Sequence, residues 1–130
     1  MIKHEHVSDD VLDRIPDMAR LLEADDRVVF AFLFGGLARG GKKPLSDVDL
    51  AVFLDGGGDL AGYKLDLFYR LTETLKTDEL DLLILNTAPE SIAGRALQSR
   101  VVLVDKNPAE RHKYESLMLR KYFDFRFMED

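Results

Sequence analysis

The sequence predicts an α/β fold, a single mixed sheet of about four strands flanked by helices. Two observations carry that expectation. Short runs dense in valine, leucine and phenylalanine alternate with longer segments whose apolar residues recur at helical spacing. The resulting order, α-β-β-α-β-α-β-α, joins its first two strands by only about a dozen residues and carries a full helix in the next connection, so antiparallel and parallel pairings share one sheet. With 130 residues and no internal repeat, low-complexity tract or linker, the chain reads as one domain over residues 1–130.

Taken in order, Val11, Leu12, Ile15, Met18, Ala19 and Leu22 fall on one face of a helix from Ser8 to about Glu23. Ser8 suits its N-cap, and Asp9 and Asp10 suit the positive end of its dipole. "RVVFAFLFGG" reads as a strand buried on both faces and stopped by two glycines. "SDVDLAVFLDGGG" is a second strand running into a glycine turn. Leu60, Tyr63, Leu67, Leu71 and Leu75 mark an amphipathic helix over residues 59–77. "ELDLLILN" is the third strand, and "APESIAGRAL" a short helix with Pro89 in its first turn. "RVVLVD" is the fourth strand, and residues 108–128 close the chain as a helix with Leu117, Leu119, Tyr122 and Phe125 among its apolar positions.

Composition removes several classes of function. Without cysteine there is no disulfide, thiol nucleophile or cysteine-bound zinc. The first residues lack a signal peptide's apolar core, and no run approaches the ~18 apolar residues of a membrane span, so a cytoplasmic, membrane-free protein is expected. The net charge of −6 argues against a broad nucleic-acid footprint. A bound nucleotide would therefore depend on local backbone N–H groups, basic side chains or metal ions.

The chemistry concentrates in "FGGLARGGKKPLSDVDLAVFL". Side chains alternate along a strand, so Asp47 and Asp49 share a face with Ala51 and Phe53, while Val48, Leu50, Val52 and Leu54 take the other. Two carboxylates roughly 6.5 Å apart at Cα repel, the more so as water is excluded. A solvated strand end, protonation of one acid or a bridging cation would each resolve this. Asp81 sits among apolar residues of the third strand. If that strand neighbours the second, its carboxylate completes a set of oxygen donors suited to Mg2+, which keeps waters and takes up phosphate oxygens. Its alternative is a solvent-facing residue at a strand start.

Gly35 and Gly36 end the first strand, where positive φ and close backbone approach expose N–H groups to an anion. A helical turn in "LARGG" would add partial positive charge, and Arg39, Lys42 and Lys43 add formal charge. The spacing fits neither a P-loop nor a dinucleotide fingerprint.

These residues resemble the minimal nucleotidyltransferases of the polymerase-β-like superfamily, especially the MntA-type antitoxins paired with HEPN-domain toxins. The family hallmark is G-S, ten residues, then D-x-D. Gly35-Gly36, Leu37 through Ser46, then Asp47-Val48-Asp49 repeats that spacing, and "ARG" at residues 38–40 and "SDVDLAV" at 46–52 are similar to the family as well. The third family carboxylate falls on Asp81, and the resemblance runs over residues 10 to 125. It implies the polymerase-β-like nucleotidyltransferase fold, with a nucleoside triphosphate (ATP as substrate) bound at Gly35, Gly36, Arg39 and Ser46. It implies Mg2+ ions held by Asp47 and Asp49, and by Asp81, which also eases deprotonation of an acceptor hydroxyl. The activity implied is AMP transfer to a tyrosine of a HEPN-type toxin, by an antitoxin that is a protein adenylyltransferase.

One departure stands out. The family serine is Gly36 here, and losing one hydrogen bond to a charged phosphate costs about 1.5–3 kcal/mol of binding. Two rivals follow: a catalytically impaired antitoxin that neutralises its partner by docking alone, and a nucleotidyltransferase acting on a small-molecule hydroxyl. The chain has no room for a separate acceptor-binding domain, which favours a protein partner, though a homodimer would also serve. Elsewhere, His4 and His6 belong to the terminus, and His112 reads as a solvated helix residue. The aromatic run at residues 122–127 reads mainly as packing, and "DGGGD" at 55–59 as a loop near the metal end.

Overall fold

The structure, a computed structural model, describes residues 9–38 and 48–129. Its elements are α1 (Asp9–Ala24), β1 (Val28–Phe34), a short turn of helix α2 (Gly35–Ala38), β2 (Val48–Leu54), α3 (Leu60–Leu75), β3 (Leu80–Ile84), α4 (Glu90–Leu97), β4 (Val101–Asp105) and α5 (Pro108–Glu129). The strands form one mixed sheet in the order β3-β2-β1-β4. β1 pairs antiparallel with both β2 and β4, and β2 pairs parallel with β3. The expected architecture is therefore the observed one, with α2 as a small addition at the glycine pair.

Period-two alternation decides which side of the sheet each residue serves. Val48, Leu50, Val52 and Leu54 of β2 and Leu80, Leu82 and Ile84 of β3 all point to one layer, where Met18 and Leu22 of α1 and Leu67, Leu71 and Leu75 of α3 cover them. Phe30, Phe32 and Ala51 point to the other, against Ala93, Ala96 and Leu97 of α4, with Tyr114 and Met118 of α5 beside them. A bulge sits in β1 between Val28 and Phe30, two steps of β1 facing one of β2, and it turns both Val29 and Phe30 toward the α4–α5 layer. Phe30, Phe53 and Tyr114 then form a ring cluster, Phe30 and Phe53 stacking at 4.9 Å.

The Asp55–Asp59 loop departs from expectation. It follows the C-terminal end of β2, whereas Asp49 lies near the N-terminal end, about 16 Å away along the strand. It is a loop, as expected, but it lies at the other end of the sheet from the acid pair. The Arg27 guanidinium donates to the Gly57 carbonyl at 2.8 Å, and Asp59 caps α3 by accepting the Gly62 N–H at 2.9 Å. Pro89 precedes α4 as its N-cap rather than lying in its first turn. His112 is exposed on α5, as its surroundings in the sequence suggest, while Ser8, His4 and His6 lie outside the described residues.

Candidate active site

One end of the sheet gathers the C-terminal end of β1 and the N-terminal ends of β2 and β3. Registers fix the neighbours there: Phe34 pairs with Asp49, and Asp49 pairs with Asp81. Both acids carry the parity of Ala51, Phe53 and Leu83, so they project from the same face, the α4–α5 side. Paired strands stand ~4.8 Å apart, which brings the two carboxylates within reach of a common cation. Asp49 is half-buried and Asp81 exposed.

Gly35 sits directly against this pair. Its φ is +72°, and a Cβ built on it would overlap Oδ2 of Asp49. Both observations demand glycine: left-handed backbone is costly for any other residue, and the space is taken by the carboxylate. The Gly35 N–H donates to Oγ of Ser99 at 3.0 Å. The expectation that both turn amides face an anion is therefore met differently, since the first is already bonded within the fold. Ser99 enters from the turn between α4 and β4, which the Leu33–Val101 pairing brings beside the end of β1. No motif spacing marks it; it is 64 residues from Gly35 in the chain.

The remaining predicted site residues, Asp47, Arg39 and Ser46, lie outside the described residues, as do Lys42 and Lys43. Among the described residues no three histidine, aspartate or glutamate side chains gather as a metal site. The two acids that do pair are hard oxygen donors, half-buried and exposed respectively, on one face and in register, and that donor chemistry fits Mg2+.

Two hollows, of about 480 and 390 Å³, lie toward the opposite end of the sheet, around the start of α5 and the start of α3, and none of Gly35, Asp49 or Asp81 lines them. Tyr114, in the larger, has its hydroxyl pushed up to about 12 by burial and donates it to the Leu85 carbonyl at 2.9 Å. It is a packing group, not a base.

The sequence model of the family described as Polymerase beta, Nucleotidyltransferase matches residues 17–109. The chain belongs to this family. The match spans both strands of the acid pair, the Gly35 turn and Ser99. Solved structures agree on the fold. A toxin–antitoxin complex with AMP-PNP superposes with a TM-score of 0.70 at 18% identity, over 89% of this chain and 90% of that one. An MntA–HepT toxin–antitoxin gives 0.65 at 17%, over 93% and 92%. A tri-AMPylated Shewanella oneidensis HEPN toxin in complex with MNT antitoxin gives 0.66 at 16%, over 91% and 88%. No curated protein matches the chain significantly by sequence. No helix among the described residues is long and apolar enough to cross a membrane.

Proposed function

We propose that this nucleotidyltransferase-family chain is a cytoplasmic antitoxin that transfers AMP from ATP to a tyrosine hydroxyl of a HEPN-type toxin. The observation that carries the reading is the register pairing of Asp49 with Asp81 on one face, pressed against a positive-φ glycine. Support for the partner comes from the neighbours: one of them holds AMP-PNP and another an AMPylated HEPN toxin.

In this reading the triphosphate lies along the Gly35–Gly36 turn, with Arg39 and Ser46 contributing to its binding. Asp49, Asp81 and, by its spacing, Asp47 would hold Mg2+, which neutralises charge on the phosphate oxygens. The acceptor oxygen attacks the α-phosphorus, the bond to the β-phosphate oxygen breaks, and pyrophosphate leaves. Asp81, exposed to solvent, would share in holding the metal and so ease deprotonation of the acceptor hydroxyl. Asp49, half-buried beside Gly35 where only a glycine leaves its carboxylate room, would be held ready for the step, the kind of preorganisation that makes electrostatic catalysis efficient.

The test combines purified protein, Mg2+, ATP and a HEPN-type partner, with mass spectrometry of the partner. AMP-modified tyrosine is expected with the wild type and at least a hundred-fold less with Asp47→Asn, on the order of what a lost transition-state contact costs. No modification by the wild type, or equal modification by the variant, would refute the reading. A docking-only antitoxin is the second reading, favoured by the missing side chain at Gly36. Tight partner binding with no calorimetric signal for ATP would establish it instead.

A further inference from the structure

We infer that Ser99 is a phosphate-binding residue: its hydroxyl accepts the Gly35 N–H and donates its own proton to a phosphate oxygen of the bound nucleoside triphosphate. This rests on the reading above, in which the triphosphate lies at the Gly35 turn.

A serine hydroxyl is one donor and two acceptor lone pairs. At Ser99 one lone pair is used by Gly35 N–H at 3.0 Å, and among the described residues the hydroxyl proton meets no acceptor. Ser99 is only half-buried, so that proton is not sealed inside the protein. Accepting an N–H polarises the oxygen and makes its O–H a stronger donor, which suits an anionic acceptor. Gly35 in turn abuts Asp49 Oδ2. The unused donor thus stands one glycine away from the carboxylate pair, where a metal-bound polyphosphate would present its oxygens.

The turn that carries Ser99 is held on both sides. Its own N–H reaches the Ala96 carbonyl at 3.3 Å. Next to it, Arg100 donates to the Leu97 carbonyl at 2.6 Å and pairs through Nε with Glu115 of α5 at 2.7 Å. Glu115 is only 4% exposed and also bonds Arg111. A hydroxyl fixed in this way loses little freedom when a ligand arrives. Residue 36 offers no hydroxyl in this chain, and Ser99, bonded to the Gly35 N–H, supplies one at the same turn.

A purely structural serine would clip the turn and nothing more. Calorimetry on the full chain with Mg2+ separates the two roles, using ATP and inorganic tripolyphosphate as titrants against wild type, Ser99→Ala, Ser99→Thr and Ser99→Cys. The expected result is a loss of about ten- to hundred-fold in affinity for both titrants with Ser99→Ala, as for a hydrogen bond to a charged group, and recovery with Ser99→Thr. Ser99→Cys keeps the shape of the side chain but is a weak donor, so it should weaken both titrants like alanine even if the alanine protein fails to fold. Unchanged affinities in the folded variants overturn the assignment and leave the nucleotidyltransferase reading intact. Weakened ATP with unchanged tripolyphosphate also overturns it, since the contact would then not be to phosphate. If wild type binds neither titrant, both the reading and the assignment fall.

Discussion

Gly35 shows how much one position can be asked to do. Its φ of +72° costs an L-residue about 1–2 kcal/mol, and the place of its Cβ is already held by Oδ2 of Asp49. Gly56 makes a useful contrast: its φ is +77°, yet nothing lies within 4 Å of a Cβ added there. Gly35→Ala and Gly56→Ala should therefore both lower stability by about 1–2 kcal/mol in denaturant titrations. Only Gly35→Ala should also displace the Asp49 carboxylate and cut AMP transfer, by roughly ten-fold or more, since a misplacement near 1 Å is enough. Equal transfer rates in the two variants would mean that the Gly35–Asp49 contact has no part in the chemistry. The sequence marks a glycine turn here, but both glycines look alike in it. What distinguishes them is the neighbouring strand's carboxylate, a contact that no local pattern encodes.

At the scale of elements, most strand and helix positions are legible because alternation and 3.6-residue spacing report which side of an element is buried. The shared face of Asp49 and Asp81 is legible for the same reason, given a parallel β2–β3 pair. The Asp55–Asp59 loop is misjudged because glycine-rich composition says nothing about which end of the sheet it joins; strand direction does. Packing between helices is equally silent in the sequence, and Gly94 is the clearest case. Within a helix, Gly→Ala ordinarily gains about 1 kcal/mol. On α4 a Cβ at residue 94 would overlap Cβ, Cγ and Cδ1 of Tyr122 on α5, atoms too close to the backbone to swing aside. Forcing the helices apart costs about 1–3 kcal/mol, so the clash outweighs the propensity. Gly94→Ala is expected to lower the denaturation midpoint without changing the slope, and a raised midpoint would show that α4 and α5 pack less tightly than this.

Across the whole molecule the two ends of the sheet are built differently. The end with Gly35, Asp49 and Asp81 sets like charges side by side, while the opposite end closes a polar network around Asp25. The Asp25 carboxylate accepts the Tyr63 hydroxyl, the Arg27 N–H at 2.9 Å and the Arg70 guanidinium at 3.0 Å, and its backbone carbonyl accepts Lys106 at 2.7 Å. The α1–β1 turn, α3 and the β4–α5 turn are tied there at once, and Arg27 also stacks 4.6 Å from the Tyr63 ring centre. Burial alone would raise the carboxyl's pKa, but the bonds from Tyr63, Arg27 and Arg70, with Arg70's charge, outweigh it and hold the group below its ordinary value. In the unfolded chain the same acid takes up its proton near pH 3.9. The network's contribution is accordingly whole above that pH, and it is lost as pH falls through the lower native value, because the unfolded state then binds the proton first. Asp25→Asn removes the titrating group along with the charge. It should melt below the wild type at pH 7, and the gap should narrow steadily once the pH drops under about 4. Melting curves of both proteins between pH 2 and 7 measure this directly. A gap that stays constant through the acid range would mean that Asp25 is no better stabilised as an anion in the fold than in the open chain, and the tie across the three elements would have to be ascribed to packing.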